Sequence, residues 1–245
     1  MTRAGRLRPP ILLAAAAVLA LIAAAILHYV HEVRTARRDT PALVAAAREK
    51  CGTALDPADL TPEREAILLA VEDPAFRRHR GVDLETPGAG MTTITQGLVK
   101  LLYYPRGFRP GIAKIRQTLI AQHALDALVS KQEQLRLYLN AAYFGHQDGR
   151  AVHGFADAAR TYFGKRFASL NDDEYLALVA MSIGPNELKP GTPANAARVE
   201  RIRRYLAGEL RPAGLLDVGY EGRKRGSPAE EAMVAVLRLI TMWRP

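Results

Sequence analysis

The first strong pattern in the chain is an uninterrupted apolar run near the N-terminus. Residues 11–27 contain no charged residue, no glycine and no proline. Together with His28, Tyr29 and Val30, the run is long enough to cross a bilayer as a helix, at about 1.5 Å per residue against a hydrocarbon core of about 30 Å. Tyr29 falls where an interfacial aromatic residue is expected. The pattern predicts an N-terminal tip and transmembrane anchor over residues 1–30.

Two other interpretations of this run remain open. A cleaved signal peptide would use Ala23-Ala24-Ala25 as its small-residue site, although the run exceeds the usual apolar length of about 7–15 residues. A buried core helix fits less well, because such a helix is rarely apolar on every side at an extreme N-terminus. Basic residues flank the run equally on both sides, so the positive-inside rule does not decide its orientation. These residues are Arg3, Arg6, Arg8, Arg34, Arg37 and Arg38.

The rest of the chain shows helical periodicity, and alternating strand patterns are scarce. Residues 31–55 are rich in charge and alanine, which predicts a juxtamembrane helix or linker. Loops are expected around residues 73–93 and 103–113, and a C-terminal helical extension over residues 208–245. Helix-start signals occur at Thr61-Pro62-Glu63, Ser130 to Glu133, Asn171 to Glu174 and Ser227 to Glu230. The pattern therefore predicts a mainly α-helical protein.

Composition narrows the class of protein. Hydrophobic residues make up 49% and charged residues 24%, which excludes a disordered chain. The single cysteine, Cys51, excludes an intramolecular disulfide framework and a cysteine-based metal cluster. The net charge of +9 favours anionic partners such as acidic lipid, a phosphorylated substrate or nucleic acid. Nucleic acid is the weakest of these partners, because the sequence has no recognition motif and no interleaved aromatic residues.

Two adjacent acids form the first candidate chemical site. Glu72 and Asp73 lie at the predicted end of an apolar helix that Pro74 stops. Acids at a helix C-terminus oppose the helix dipole, which raises the pKa of a carboxyl group. A raised pKa suits a general base. The same residues are also compatible with a purely structural cap on a turn with His79.

A second polar stretch runs from Gly88 to Lys100. A glycine-rich lead enters a segment with hydroxyl groups, an amide and an ammonium group, which suit a sugar and a phosphate. A polar loop followed by a helix N-cap gives the same pattern. Two further stretches, 138–145 and 154–165, predict helix packing ended by glycines when each is taken alone.

Taken in order, these four stretches resemble the peptidoglycan glycosyltransferases of family 51. All six specified positions of the first family motif, E-D-x-x-F-x-x-H-x-G-x-D, are matched, and the second motif, G-G-S-T-I-T-Q-Q-x-x-K, is echoed. The fourth and fifth motifs fall on 138–145 and 154–165, and the resemblance covers about residues 60–205. We therefore assign residues 56–207 to a domain of this family. The matching residues of the first two motifs are Glu72, Asp73, Phe76, His79, Gly81, Asp83, Gly90, Thr93, Ile94, Thr95, Gln96 and Lys100.

The resemblance implies a fold and a reaction. The fold would be mainly α-helical and bilobal, with a lysozyme-like larger lobe and a smaller lobe that dips into the membrane. The apolar flank from Leu101 to Phe108 is a candidate for that dip, with a buried helix end as the alternative. The substrate would be lipid II, whose sugar 4-hydroxyl attacks the growing glycan strand while undecaprenyl pyrophosphate leaves. Glu72 would be the general base and Lys100 would contact the pyrophosphate.

The resemblance also implies a location and partners. The protein would be a single-pass protein of the bacterial cytoplasmic (inner) membrane, with its catalytic domain on the periplasmic side. Its partners would be lipid II, the growing strand, the membrane and other cell-wall synthesis proteins. No cofactor is required; many family members use a divalent cation, Mg or Mn, but no ligand set here is diagnostic and no metal ligand is assigned. Further candidate substrate-binding residues are Asp73, Phe76, His79, Thr93, Thr95, Gln96, Lys114, Arg116 and Asn140.

The match breaks at the third family motif, R-K-x-x-E, which carries the second catalytic-site glutamate of the family. Counting back from the fourth motif places it on residues 114–118, so Thr118 stands where the glutamate is expected. No acid lies between Glu85 and Asp126, so a shifted alignment does not restore one. The basic partner survives as Lys114 or Arg116. The second motif also departs from the family at Met91, Thr92 and Gly97.

Two functions are compatible with this break. In the first, the protein is a divergent polymerase: loss of an acid beside a pyrophosphate also removes repulsion, and Arg109, Lys114 or Arg116 compensates. In the second, it is an anchored binding or regulatory protein that holds lipid II or a glycan strand without polymerising it. We take glycan polymerisation as the prediction, with turnover below an ordinary rate.

Overall fold

The protein is mainly α-helical, as the sequence predicts. A computed structural model describes residues 9–223 and 226–242, so Arg3, Arg6 and Arg8 of the predicted anchor flank lie outside the described residues. The helices are α1 (Pro9–Cys51), α2 (Pro62–Glu72), α3 (Ile94–Tyr103), α4 (Ala113–Ile120), α5 (Asp126–Leu128), α6 (Lys131–Ala141), α7 (Phe155–Phe163), α8 (Asp172–Met181), α9 (Pro193–Leu206) and α10 (Pro228–Thr241). A π-helical turn, Ala121–Leu125, joins α4 to α5, and short 3₁₀ turns occupy Pro57–Asp59 and Phe167–Ser169.

Helix α1 is one continuous element of 43 residues. Its N-terminal half is exposed, and the helix is long and apolar enough to cross a membrane. The segment 31–55, predicted as a juxtamembrane helix or linker, is helical as far as Cys51. Ala36, Val44 and Ala47 are buried there, because this part of α1 packs against α3, α4 and α6. The candidate anchor therefore continues into the domain core without a break.

The core forms where the apolar stripes of the helices meet. On α3, Ile94 and Leu98 are four residues apart and both are buried, as expected for one face of a helix. Helix α8 lies in the centre of the domain, and Leu178, Val179 and Ala180 in succession are fully buried. Each fully buried leucine or valine contributes about 1.5–3 kcal/mol relative to an exposed one. This packing fixes the ends of α2, α6 and α8, where the candidate site lies.

A β-hairpin is the element that the sequence analysis did not predict. Strands β1 (Tyr143–Gln147) and β2 (Arg150–His153) are antiparallel, with Gln147 opposite Arg150. The turn residues Asp148 and Gly149 both have positive φ, 50° and 78°, which is the geometry that an Asp-Gly hairpin turn requires. The strands are too short to give a clear alternating pattern, but the Asp-Gly pair was a usable signal.

The C-terminal segment folds back on the glycine-rich loop that leads into α3. Backbone hydrogen bonds join the amide of Gly88 to the carbonyl of Gly214 at 2.9 Å and the amide of Gly90 to the carbonyl of Leu215 at 2.8 Å. Both loop glycines have positive φ, and a Cβ at Gly88 would lie 2.7 Å from Pro212. Helix α10 begins with the predicted capping box and packs through Leu237 on a second small core. The extension therefore stabilises the second-motif loop.

Candidate active site

Glu72 is the last residue of α2 and lies at the centre of the candidate site. Its carboxylate accepts a hydrogen bond from Tyr138 Oη on α6 at 2.6 Å and another from Ser182 Oγ, which caps the end of α8. Burial raises the pKa of Glu72 above its usual value, and these two hydrogen bonds together with Arg198 oppose that rise. The residue as a whole is half-buried. The direction of the pKa shift agrees with the sequence argument, but its main cause is burial rather than the helix dipole.

Tyr138 and Ser182 are site residues that the sequence reasoning missed. Tyr138 is the first residue of the fourth motif, so the signal was present, whereas Ser182 follows α8 in no quoted motif. Burial and the neighbouring carboxylate of Glu72 raise the pKa of Tyr138 well above its usual value. The phenol therefore stays protonated at neutral pH and donates its hydrogen bond to Glu72.

Asp73 has a different role from its neighbour. It is 1% exposed and bonds to His79 Nε2 at 2.8 Å and 3.0 Å. It also accepts a hydrogen bond from the backbone amide of Ile94 at 2.9 Å, at the N-terminus of α3, where a negative charge is favoured. Asp73 therefore has the structural role of a cap on the turn with His79, which was one of the two interpretations of this pair. It also joins the first motif to the second. Glu72 is bonded instead to Tyr138 and Ser182.

The second-motif residues are bonded inside the domain. Thr93 caps α3 in a reciprocal capping box with Gln96. Thr95 donates a hydrogen bond to Gln134 on α6 at 2.6 Å, and Gln96 Nε2 donates to Thr118 Oγ1 at 2.9 Å. Thr95, Gln96 and Thr118 are all fully buried. This network fixes α3 against α4 and α6.

Two further candidate residues lie in the interior. Phe76 is fully buried, and its ring centroid is 4.7 Å from the ammonium group of Lys131. The amide side chain of Asn140 bonds to the backbone N–H and C=O of Leu55 at 3.0 Å and 2.7 Å. The internal bonds give these residues a structural role, and their contact with substrate stays a prediction. The same applies to Asp73, His79, Thr93, Thr95 and Gln96.

Lys100 and Lys114 form a pair of neighbouring cations. Lys114 is 6% exposed, and its Nζ donates to Thr92 Oγ1 at 3.1 Å. Burial, together with the charge of Lys100, lowers the pKa of Lys114 to about 7. Burial also lowers the pKa of Lys100, whose Nζ lies 5.2 Å from the ring centroid of Phe108. In the part of the chain that the structure describes, neither ammonium group has an acidic partner, so the pair is suited to an anion.

Arg116, unlike Lys100 and Lys114, has an acidic partner among the described residues. It forms an ion pair with Glu32 of α1, and its guanidinium lies 5.0 Å from the ring centroid of Tyr104. Because Glu32 follows the apolar half of α1, this contact lies just beyond the membrane-compatible segment. Arg116 thus joins α1 to α4. Its contact with substrate stays a prediction.

The apolar flank 101–108 is neither wholly a buried helix end nor wholly an exposed segment that could dip into a membrane. Leu102, Tyr103 and Tyr104 are partly buried against the core, and Tyr103 Oη is 2.6 Å from Thr40 Oγ1 on α1. Leu101 is 43% exposed, and Ile112 beyond the flank is 77% exposed. One face of this segment therefore packs against α1, while another presents apolar side chains beside it.

Comparison with known proteins is consistent with this arrangement. Residues 41–210 match a family model described as transglycosylase. A putative transglycosylase of Cupriavidus necator is 29% identical over 219 residues, which cover 84% of this chain and 91% of that protein. Penicillin-binding protein 1B of Buchnera aphidicola is 35% identical over 55% of the chain, and penicillin-binding protein 1F of Bacillus subtilis is 32% identical over 52%. The matched part spans 19% of each of these two longer proteins.

Proposed function

Because this chain belongs to the transglycosylase family, we propose that it polymerises the glycan strands of peptidoglycan from lipid II. The observation that carries the proposal is Glu72: a carboxylate with a raised pKa at the end of α2, held at both oxygens by Tyr138 and Ser182. A base of this kind can activate a sugar hydroxyl near neutral pH. The test is the formation of a glycan ladder from labelled lipid II by the purified full-length protein.

On the acceptor side, Glu72 takes the proton of the sugar 4-hydroxyl as its oxygen attacks the anomeric carbon of the donor strand. The new C–O bond forms while the bond to the pyrophosphate breaks, and the pyrophosphate leaves with the bonding electron pair. Tyr138 and Ser182 hold the carboxylate in one orientation for this step. Each carboxylate oxygen has a second lone pair that is free to receive the incoming hydroxyl.

On the donor side, Lys100 and Lys114 stabilise the departing pyrophosphate. The leaving group is already anionic, so cationic stabilisation serves it better than a general acid does. Asp73 connects the two halves of the site, because it follows Glu72 directly and caps the helix that carries Lys100. Lys100 lies six residues after Ile94, about 9 Å along the axis of α3.

The pH dependence of kcat/KM is expected to be bell-shaped, because the reaction needs Glu72 without its proton and Lys114 with its proton. The raised pKa of Glu72 sets the acid limb, and the pKa of Lys114, about 7, sets the alkaline limb. In Lys114→Arg the cation stays charged at all these pH values, so the alkaline limb is expected to move to higher pH. Initial rates of strand formation across both limbs measure this. An alkaline limb that the variant leaves unmoved would contradict the role of Lys114.

A second function, the binding of lipid II or glycan without polymerisation, is favoured by one observation. Thr118 occupies the place expected for the second glutamate, is fully buried and is bonded to Gln96. A carboxylate at this position would lie one helical turn after Lys114 and would pair with it. Polymerisation and binding alone therefore predict different effects on glycan formation when a carboxylate is introduced at position 118.

Thr118→Glu is expected to reduce glycan formation if the protein is a working polymerase. The new carboxylate would neutralise Lys114 and repel the pyrophosphate, while the loss of the bond to Gln96 would lower the melting temperature. Thr118→Gln is the matched control, since it has a similar size and no charge. Ladder formation by wild type, Thr118→Glu and Thr118→Gln is the measurement. If Thr118→Glu forms a glycan ladder and wild type and Thr118→Gln do not, the result would support the binding function for the wild-type chain.

A further inference from the structure

A buried arginine lies outside the groups used so far. Arg198 on α9 is 1% exposed, and within the described part of the chain its Nε and Nη1 have no hydrogen-bond partner. The guanidinium carbon is 4.6 Å from the ring centroid of Tyr220. A buried cation that is incompletely hydrogen-bonded is costly to stability. Its presence therefore points to a function other than holding the fold together.

Contacts of Tyr220 place this arginine behind the C-terminal end of α2. Tyr220 Oη donates to the carbonyl of Val71, the residue before Glu72, at 3.5 Å. Its ring is stacked on Tyr205 at 4.1 Å, so the ring is fixed between that residue and Arg198. Tyr220 also has a positive φ of 57°, an uncommon conformation for a tyrosine. Tyr220 thus links Arg198 on α9 to the backbone at the C-terminal end of α2, next to Glu72.

The charges that act on Glu72 come from several elements. Asp73 raises the pKa of Glu72, whereas Arg198 lowers it, and the carboxylate in turn raises the pKa of Arg198 against the effect of burial. Three tyrosines also feel the charge of Glu72: Tyr138 on α6, Tyr175 on α8 and Tyr220. Burial raises the pKa of each of these tyrosines, so they stay neutral. Arg198 supplies the positive charge that favours the ionised carboxylate.

We propose that Arg198 is the positioning residue of the candidate catalytic base: its buried guanidinium, held by Tyr220, keeps Glu72 ionised at the end of α2. The inference rests on the proposed role of Glu72 as general base. Arg198 is buried and acts through the carboxylate, without touching substrate. Its role should therefore be visible in the titration of Glu72 even when no reaction takes place.

The test is a direct titration of Glu72 in the full-length protein in detergent micelles. Carboxyl-labelled glutamate gives a carbon NMR signal for each side chain, and the signal of Glu72 is the one that Glu72→Gln removes. Arg198→Met is expected to raise the pKa of Glu72, the effect of losing a nearby opposite charge. Arg198→Lys is expected to keep most of the wild-type value. An unchanged pKa of Glu72 in folded Arg198→Met would overturn the proposal.

The matched control is Arg204→Met, which removes an exposed arginine from the same helix and should leave the titration of Glu72 unmoved. Arg198→Met is expected to fold, because it removes an incompletely bonded charge, and Arg198→Gln provides the same comparison if the methionine packs poorly. In glycan synthesis, the acid limb of kcat/KM should move to higher pH while the rate at high pH is kept. An equal decrease in kcat/KM at every pH would instead indicate that Arg198 has a structural role. A wild type that makes no glycan would overturn the proposed function, and the titration would still decide the role of Arg198.

Discussion

Glu72→Gln is expected to reduce glycan polymerisation by about 10²- to 10⁴-fold, the usual contribution of a positioned general base. The amide has the same size, and its oxygen still accepts a hydrogen bond from Tyr138 or Ser182, but it cannot take a proton. The substitution also removes a carboxylate whose burial raises its pKa, so stability should not fall strongly. The measurement is the initial rate of strand formation from labelled lipid II.

A matched control for this variant is Glu63→Gln, at the exposed first turn of the same helix. It is expected to keep the wild-type rate, because its carboxylate lies at the opposite end of α2. Binding of lipid II should be retained in both variants. If neither wild type nor Glu72→Gln forms glycan and both still bind lipid II, the result would favour the binding function. Undiminished polymerisation by Glu72→Gln would rule out Glu72 as the base.

Lys114→Met is expected to stabilise the protein while it impairs the reaction. The difference between the ordinary pKa of 10.5 and a pKa of about 7 in the fold corresponds to at most about 5 kcal/mol of unfavourable burial. Recovery of even half of this energy would raise the melting temperature by about 5–10 °C for a chain of this size. Polymerisation should fall because one of the two cations proposed to stabilise the pyrophosphate is lost.

The gain in stability should depend on pH in a defined direction. The folded state releases the proton of Lys114 near pH 7, whereas the unfolded chain keeps it to about pH 10.5, so wild-type stability rises between these values. The advantage of Lys114→Met is therefore largest at or below pH 7 and shrinks toward pH 10.5. Lys50→Met, at an exposed position of α1, should change stability by no more than about 0.5 kcal/mol. A melting temperature that Lys114→Met lowers at neutral pH would contradict the burial of a costly charge.

Local signals explain why much of the fold could be predicted. Thr61, Asn171 and Ser227 cap helices as their side chains suggest, since capping depends on residues within one turn. Glu72 could be proposed because it begins a motif whose six specified positions all match within one short stretch. The hairpin at 143–153 was missed because its strands are short and one of its faces packs inside the domain.

The partners of Glu72 could not be found in the same way. Tyr138, Ser182 and Arg198 are 66, 110 and 126 residues away along the chain and meet Glu72 only through the packing of α6, α8 and α9 on α2. The low pKa of Lys114 likewise follows from its burial, which the sequence spacing does not reveal. Residue type and spacing identified the groups, and tertiary packing determined which of them are exposed, buried or charged.

The unbroken course of α1 from its apolar half into the core has a mechanical consequence. The proline inside α1, Pro41, lies in the half that packs on the domain, so a membrane-spanning apolar half would turn together with the domain about the bilayer normal. Each added residue in such a shaft would swing the domain by about 100° and lift it by about 1.5 Å. The length of α1 between its two halves would thus set how high Glu72 lies above a membrane surface and in which direction the domain faces.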